Sequence, residues 1–447
     1  LAQGFGMSSP LDAPRRAVIT GLGVVCPSGN SKQSLWASLG GRQSGVSSLE
    51  NNHTVDLPTD CVASVREFSG HIDDFGEMPA TQKKAIRKAL KVMCRETQMG
   101  VAAAMQALVD AALVEETPNP LRSGVVYGSD YMLSEPEELN AGMAISATIE
   151  DGVDYQRWGT EGMRLMSPLW LLKYLPNMPA CHIAIYNDLQ GPNNSITQRE
   201  AGANLAVGEA FHTITRNSAD MMIAGATGTR IHTMKAIHAA LQEQLALGRD
   251  EPQRASRPFD LNRTGMVLGE GAAAIVLEEL ATAQNRGATI YGEVVGFGSS
   301  SVSDRNFCAR RDTALVNVMR AALREARLSP EEIGHIHAHG LSTKTCDVDE
   351  SRAILEVFGD AARRVPTVAA KSNFGNLGAG GGLVELVAST IALGEGHLFP
   401  VLNYETPDPE CPLNVVRDES VPSGENFMNL SVTPQGQASC VIVRRFG

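Results

Sequence analysis

Short uncharged apolar runs punctuate the chain, and between them apolar residues recur at helical spacing. Ala17-Val18-Ile19-Thr20 reads as a strand meeting a Gly21-Leu22-Gly23 turn, and Val125-Val126-Tyr127 and Met221-Met222-Ile223-Ala224 read as further buried strands. From Thr81 to Ala112 the pattern is that of one long helix, and Ser134 to Glu138 opens another with an acidic first turn. Val207, Ala210, Phe211 and Ile214 lie at i, i+3, i+4 and i+7 on one stripe that Asn217 ends. A second stripe runs through Leu383, Leu386, Val387 and Ile391. Strands alternating with helices predict an α/β protein with parallel or mixed sheets.

Each of the two best-marked helices follows a polar turn. One is the Gly191–Glu200 stretch, and the other is Lys371-Ser372-Asn373-Phe374-Gly375-Asn376 with the glycines Gly378, Gly380, Gly381 and Gly382 after it. No Pro-, Ser- or Gly-rich linker divides the chain, so two tightly packed halves are expected, 7–256 and 257–447, with Arg257-Pro258-Phe259-Asp260 as their junction. The lone Gly21-Leu22-Gly23 is a weak phosphate-loop signal, because glycine at a strand end more often permits close backbone packing.

Charge narrows the function classes. Lys+Arg 38 against Asp+Glu 50 leaves −12, which argues against a general nucleic-acid binder. No apolar run approaches the roughly 18 residues a membrane-spanning helix needs. Eight scattered cysteines without CxxC pairs fit free thiols in a reducing cytoplasm. Leu1–Gly6 precede Met7 without a basic or long apolar region, and are expected to be an expression leftover and not a signal peptide.

The segments AVITGLGVVCPSG, LPNMPACHIAI, LQGPNNSIT, RPFDLNRTGMVLGEGAAAIVLEE, HAHGLST and AAKSNFGN, in that order, resemble the β-ketoacyl-acyl-carrier-protein synthases, the synthase II type above all. The resemblance runs from about Arg16 to Arg445. It implies the thiolase fold, two similar halves forming a five-layered αβαβα core. It also implies a cysteine nucleophile at a helix N-terminus, where the dipole favours a thiolate, and two histidines that stabilise an enolate. No cofactor and no metal is implied.

Matched residue by residue, the nucleophile position falls on Glu200, with no cysteine near it in sequence. His339 keeps the first catalytic histidine, although Leu341 replaces the usual threonine. The second histidine becomes Asn376, with Lys371, Ser372 and Gly375 retained before it. The glycine-rich gate loop, which would contact substrate, becomes Val432-Thr433-Pro434-Gln435, where the proline removes a donor and stiffens the turn. A carboxylate is too weak a nucleophile toward a thioester to replace a thiolate, so ordinary condensation is not expected.

Glu200 has two readings. It either fills the vacated site, accepting hydrogen bonds from helix N–H groups, or acts as an acid/base residue pulled down in pKa by the dipole and His339 and pushed up by burial. His335, His337 and His339 alternate on a strand pattern, but the resemblance assigns the first two, with Asp347, Glu350 and Glu270, to structural positions. Lys83, Lys84, Arg87 and Lys88 match the region that docks the acidic acyl carrier protein, and the alternative is a solvated helix face.

Two functions follow from the resemblance. One is a non-condensing, chain-length-factor-like pseudoenzyme of fatty acid or polyketide biosynthesis that pairs with an intact synthase. The other is an enzyme of the same acyltransferase family, a 3-oxoacyl-acyl-carrier-protein synthase by class, or one with altered thioester chemistry (hydrolysis or decarboxylation) through Glu200 and His339. Either form is expected to be a homodimer or heterodimer paired through the strand at about Met221–Gly225, whose uncharged edge would be a liability in a monomer.

Overall fold

The computed structural model describes residues 14–49, 57–114, 118–148, 152–248 and 250–447, and Leu1–Gly6 lie outside these. The first half is built on β1 (Ala17–Val25), β2 (Ser123–Ser129), β3 (Asn193–Thr197), β4 (Met221–Thr229) and β5 (Leu268–Glu279), in spatial order β1-β5-β4-β2-β3. The second half is built on β6 (Gly292–Ser301), β7 (His335–His337), β8 (Pro366–Val368), β9 (Asn426–Val432) and β10 (Gln437–Arg444), in order β6-β10-β9-β7-β8. The orders are the same when strands are counted within each half. Directions repeat as well: β5 is antiparallel to β1 and β4, while β2 is parallel to β4 and β3. In the second half β10 is antiparallel to β6 and β9, while β7 is parallel to β9 and β8. A short contact of Ala17–Ile19 with Gly292–Val294 joins the two runs into one sheet.

Helices complete the layers. α1 (Ala80–Ala89) and α2 (Arg95–Asp110) belong to the first half, with α2 packed on β1 and β5. α3 (Gly202–Thr215) follows β3, α4 (Arg311–Ala326) packs on β6 and β10, α5 (Lys344–Phe358) packs on α4, and α6 (Gly381–Glu395) follows β8. α3 and α6 touch each other and both runs of strands, which makes them the central layer of an α-β-α-β-α stack. α6 is buried continuously from Gly381 to Thr390, and Glu385, the one charged residue of that run, is paired with Lys371. Its Leu383, Leu386 and Val387 each contribute about 1.5–3 kcal/mol by burial.

Several expectations are corrected. The Thr81–Ala112 pattern is not one helix: Met93, extended at φ −118° and ψ 123°, separates α1 with its short 3-10 extension from α2. Gly21 and Gly23 form no turn. They lie inside β1, where a Cβ would fall 2.2 Å from Ala107 O and 2.0 Å from Ala103 O, so they serve close helix–strand packing. By sheet order the changeover between halves lies between β5 and β6, downstream of the expected Arg257–Asp260 junction. That segment stitches the halves together instead, Arg257 N–H donating to Ser342 Oγ and Phe259 N–H to Asp347. The expected pairing strand is also wrong. β4 is bonded on both sides, to β2 and β5, whereas among the described residues β3 pairs with β2 alone and is the free edge of the first half.

Candidate functional site

The repeat puts two turns opposite each other across the central layer. The turn from β3 to α3 carries Glu200, and the turn from β8 to α6 carries Asn376. Asn376 Nδ2 donates to Glu200 Oε1 at 3.1 Å, and Asn376 Oδ1 accepts from Gly378 N–H at 3.0 Å. The two residues expected in place of the nucleophile and the second histidine therefore meet directly. His339 follows β7 and lines the same space.

Glu200 is 3% exposed. Its Oε1 lies 2.6 Å from Arg230 Nη2, and Arg230 Nη1 lies 2.6 Å from Asp130 Oδ2. Arg199 Nε approaches Glu200 Oε2 at 3.5 Å. Burial works against ionising Glu200, but the Arg230 and Arg199 guanidiniums outweigh it and hold the carboxyl far below the ordinary carboxylate value. Burial in turn works against the Arg230 charge, and the Glu200 and Asp130 carboxylates outweigh that, raising its pKa. This corrects the expectation that the helix dipole and His339 would lower Glu200: arginines dominate. Arg199 adopts a left-handed φ of 48°, and its Nη1 donates to Gln242 Oε1 at 2.6 Å and to Gln435 Oε1 at 3.2 Å across the mouth of the site.

The second half supports His339 differently. The buried Lys371 ammonium donates to His339 O at 2.8 Å, approaches His339 Nδ1 at 3.3 Å and pairs with the buried Glu385 carboxylate. With Nδ1 facing an ammonium, the neutral ring carries its proton on Nε2, which has no hydrogen-bond partner. Burial, and then the Lys371 charge, hold His339 well below its ordinary pKa. Glu350 accepts the His339 and Gly340 N–H groups at 2.6 and 2.8 Å, and burial pushes it up to about 8. His335 Nε2 and His337 Nδ1 share Ser389 Oγ at 3.0 and 2.8 Å, so both are structural. Among the described residues no group of three His, Cys, Asp or Glu is placed to hold a metal ion.

The expected gate loop is a tight hairpin turn. Thr433 N–H donates to Gln437 O at 2.8 Å and Gly436 N–H to Thr433 O at 3.1 Å, while Val432 and Pro434 wall the site. Between these walls, Glu200, Met266, His339 and Asn376, the enclosed volume is about 10 Å³, room for about one water. Of the basic residues on α1, Lys83 pairs with Asp73, while Lys84, Arg87 and Lys88 are exposed. No described helix is long and apolar enough to cross a membrane. Sequence reasoning missed Arg230, Asp130 and Arg199. A signal existed for two of them: Asp130 and Arg230 each stand one residue beyond an uncharged, fully buried strand.

Comparison with known proteins places this architecture. Two family models match, Beta-ketoacyl synthase, N-terminal domain, over residues 15–283 and Beta-ketoacyl synthase, C-terminal domain, over residues 291–405. A 3-oxoacyl-[acyl-carrier-protein] synthase 2 of Coxiella burnetii is 36% identical over 409 residues, 91% of this chain and 92% of that protein. The protein of that name from Synechocystis sp. is 34% identical over 408 residues, again 91% and 92%. A type II PKS acyl-carrier protein in complex with its ketosynthase matches with a TM-score of 0.83 at 25% identity, over 97% of this chain and 100% of that one. The ishigamide ketosynthase/chain length factor matches with a TM-score of 0.79 at 27% identity, with the same coverage. The expected thiolase-type α/β fold is the fold of this chain.

Proposed function

Because the chain belongs to the beta-ketoacyl synthase family, we propose that it acts in fatty acid or polyketide synthesis as a non-condensing subunit beside a synthase that keeps the nucleophile. The observation that carries this reading is the state of Glu200: an ionised carboxylate held by Arg230 at 2.6 Å, at the place where the family's mechanism needs a thiolate. Acyl transfer begins with a nucleophile that attacks a thioester carbonyl and expels the thiol. A carboxylate neutralised by two guanidiniums attacks poorly, and an anhydride so formed would lose its acyl group to water. Asn376 cannot exchange a proton as an imidazole does, and about 10 Å³ admits no thioester.

The free edge of β3 supports a paired assembly, since an unprotected strand edge of Asn193–Thr197 invites another strand. The ishigamide ketosynthase/chain length factor, a relative in fold and sequence, supports a heteromeric pair. Lys84, Arg87 and Lys88 on α1 supply a positive face for an acidic carrier protein. Hydrolysis is the weaker alternative, because Glu200 and His339, both shifted far down, are poor bases near neutrality.

A second reading, a 3-oxoacyl-acyl-carrier-protein synthase in its own right, is favoured by the names of the 34–36% identical relatives. One experiment separates the two. The protein, alone and co-purified with a cysteine-bearing synthase of the same genome, is incubated with acyl- and malonyl-carrier protein. The proposed function gives product only from the pair and no acyl adduct on this chain by intact mass. A stoichiometric adduct on the isolated chain, with turnover, establishes the second reading.

A further inference from the structure

We propose that a hydroxyl-rich cavity beside the loop Cys26–Asn30 is a binding site for a neutral, polyhydroxylated small molecule of the class of sugars and cyclitols. The cavity measures about 490 Å³ and is bounded by that loop, the helix Lys32–Gly40 and the segments 43–47 and 64–67. It touches none of Glu200, His339 or Asn376 and lies apart from the space they line. Its size falls among small-molecule sites, which run from roughly 300 to 1,000 Å³. The backbone of its walls is fixed from behind. Cys26 and Gly29 exchange both backbone hydrogen bonds, at 3.1 and 3.0 Å, and Gly45 N–H donates to Asn373 O at 2.7 Å. Asn373 Nδ2 donates in turn to Gln43 O at 3.0 Å, and Val65 N–H donates to Glu270 Oε1 at 3.1 Å. Loop and segment meet so closely that a Cβ at Gly45 would lie 2.7 Å from Pro27 Cβ. Walls anchored in this way are in place before a ligand arrives, which removes part of the cost of binding.

The side chains at the cavity are left unspent. Ser28 is 6% exposed, and its Oγ has no hydrogen-bond partner among the described residues. Asn30 Oδ1, also screened from solvent, has none either. Buried polar groups are nearly always paired, so these two mark where a partner from outside the chain belongs. Six of the 18 lining residues are serines, and Asn30, Gln43 and Gln253 add amides. Hydroxyls and amides both donate and accept, as the hydroxyls of a sugar do. An apolar ligand would leave them unpaired and is rejected for that reason. Charge selects a neutral ligand: Arg66 and Glu67 are the ionic residues of the lining, and their charges cancel. This inference holds whether or not the chain condenses and whether or not it pairs with a synthase.

The test titrates the full chain with maltose, trehalose and myo-inositol in turn, and with inorganic phosphate as the charged control, by saturation-transfer NMR and calorimetry. At least one of the three neutral probes is expected to bind saturably, and phosphate is not. Ser28→Ala/Ser64→Ala, which removes two hydroxyls and no charge, should weaken that binding at least about tenfold. Gln253→Trp, at an exposed position of the lining, should fill the cavity and abolish binding while the thermal midpoint stays unchanged. Should the double variant not fold, Gln253→Trp carries the test alone. Saturable binding of none of the three neutral probes, or of phosphate in their place, overturns the proposal. Binding that is unchanged in a folded variant puts the probe elsewhere on the molecule and overturns it as well.

Discussion

The two halves share one strand order and bring corresponding turns to one point, yet they contribute opposite things there. The second half holds a neutral imidazole in place: Lys371 fixes His339 from one side, and Glu350 binds the backbone at His339 and Gly340. The first half supplies charge neutralised by charge, Glu200 and Asp130 about Arg230. Asn376 shows how the halves adjusted to each other, since an amide donates to a carboxylate without bringing a charge of its own. The two turns can therefore carry different chemistry within one repeat, because each half anchors its turn on its own run of strands.

Arg230→Ala tests this contrast most severely. It strands two buried carboxylates and should cost about 3–5 kcal/mol, read as a loss in denaturant midpoint at unchanged slope, whereas the triple variant Asp130→Ala/Glu200→Ala/Arg230→Ala should cost less than that single change. A single change milder than the triple would mean that the triad does not act as a unit. Lys371→Ala, in the second half, strands one buried carboxylate, Glu385, and should cost about 3 kcal/mol. It should also raise the His339 pKa, because the Lys371 charge lowers it; NMR titration of the ring would read this.

Acid stability sharpens the comparison further. Glu200 has a depressed folded-state pKa, so its contribution is fully present above the unfolded carboxylate value and is lost as pH falls below it. Glu200→Gln should therefore destabilise the protein near pH 7 and make its stability less pH-dependent between about pH 5 and 3 than that of the unaltered chain. Parallel pH profiles would remove Glu200 as the titrating group. The smallest effect on stability belongs to Lys84→Glu/Arg87→Glu/Lys88→Glu on the exposed face of α1. It should change folding by less than about 1 kcal/mol while weakening carrier-protein binding most at low salt. Affinity that ignores both charge and salt would place the docking face elsewhere.

Much of this was legible in the sequence. The stripe Val207–Ile214 and the run Leu383–Ile391 announced the two central helices, because a helix packed against sheets needs a wide apolar face. Glu200, His339, Asn376 and Lys371 were found through motif order and do converge. What escaped were long-range partners. Nothing at Asp130 indicates that Arg230 will lie 2.6 Å away, since β2 and β4 become neighbours only through sheet order. The same blindness misplaced the pairing edge: β3 and β4 are both uncharged runs, and which is covered depends on topology. Periodicity also overran Met93, where a chain break in helical geometry leaves no mark on hydrophobic spacing.

The position of β1 has a consequence for synthesis. Among the described residues Ala17 finds its neighbours at Glu279 and Val294, so this strand, once it has left the ribosome, waits for the chain to reach those residues before either of its edges is covered. At roughly 5–20 residues per second that delay exceeds about 10 s. Throughout it an apolar strand of nine residues is available to any other nascent chain, and the yield of active protein should depend on the holdase chaperones present at that stage.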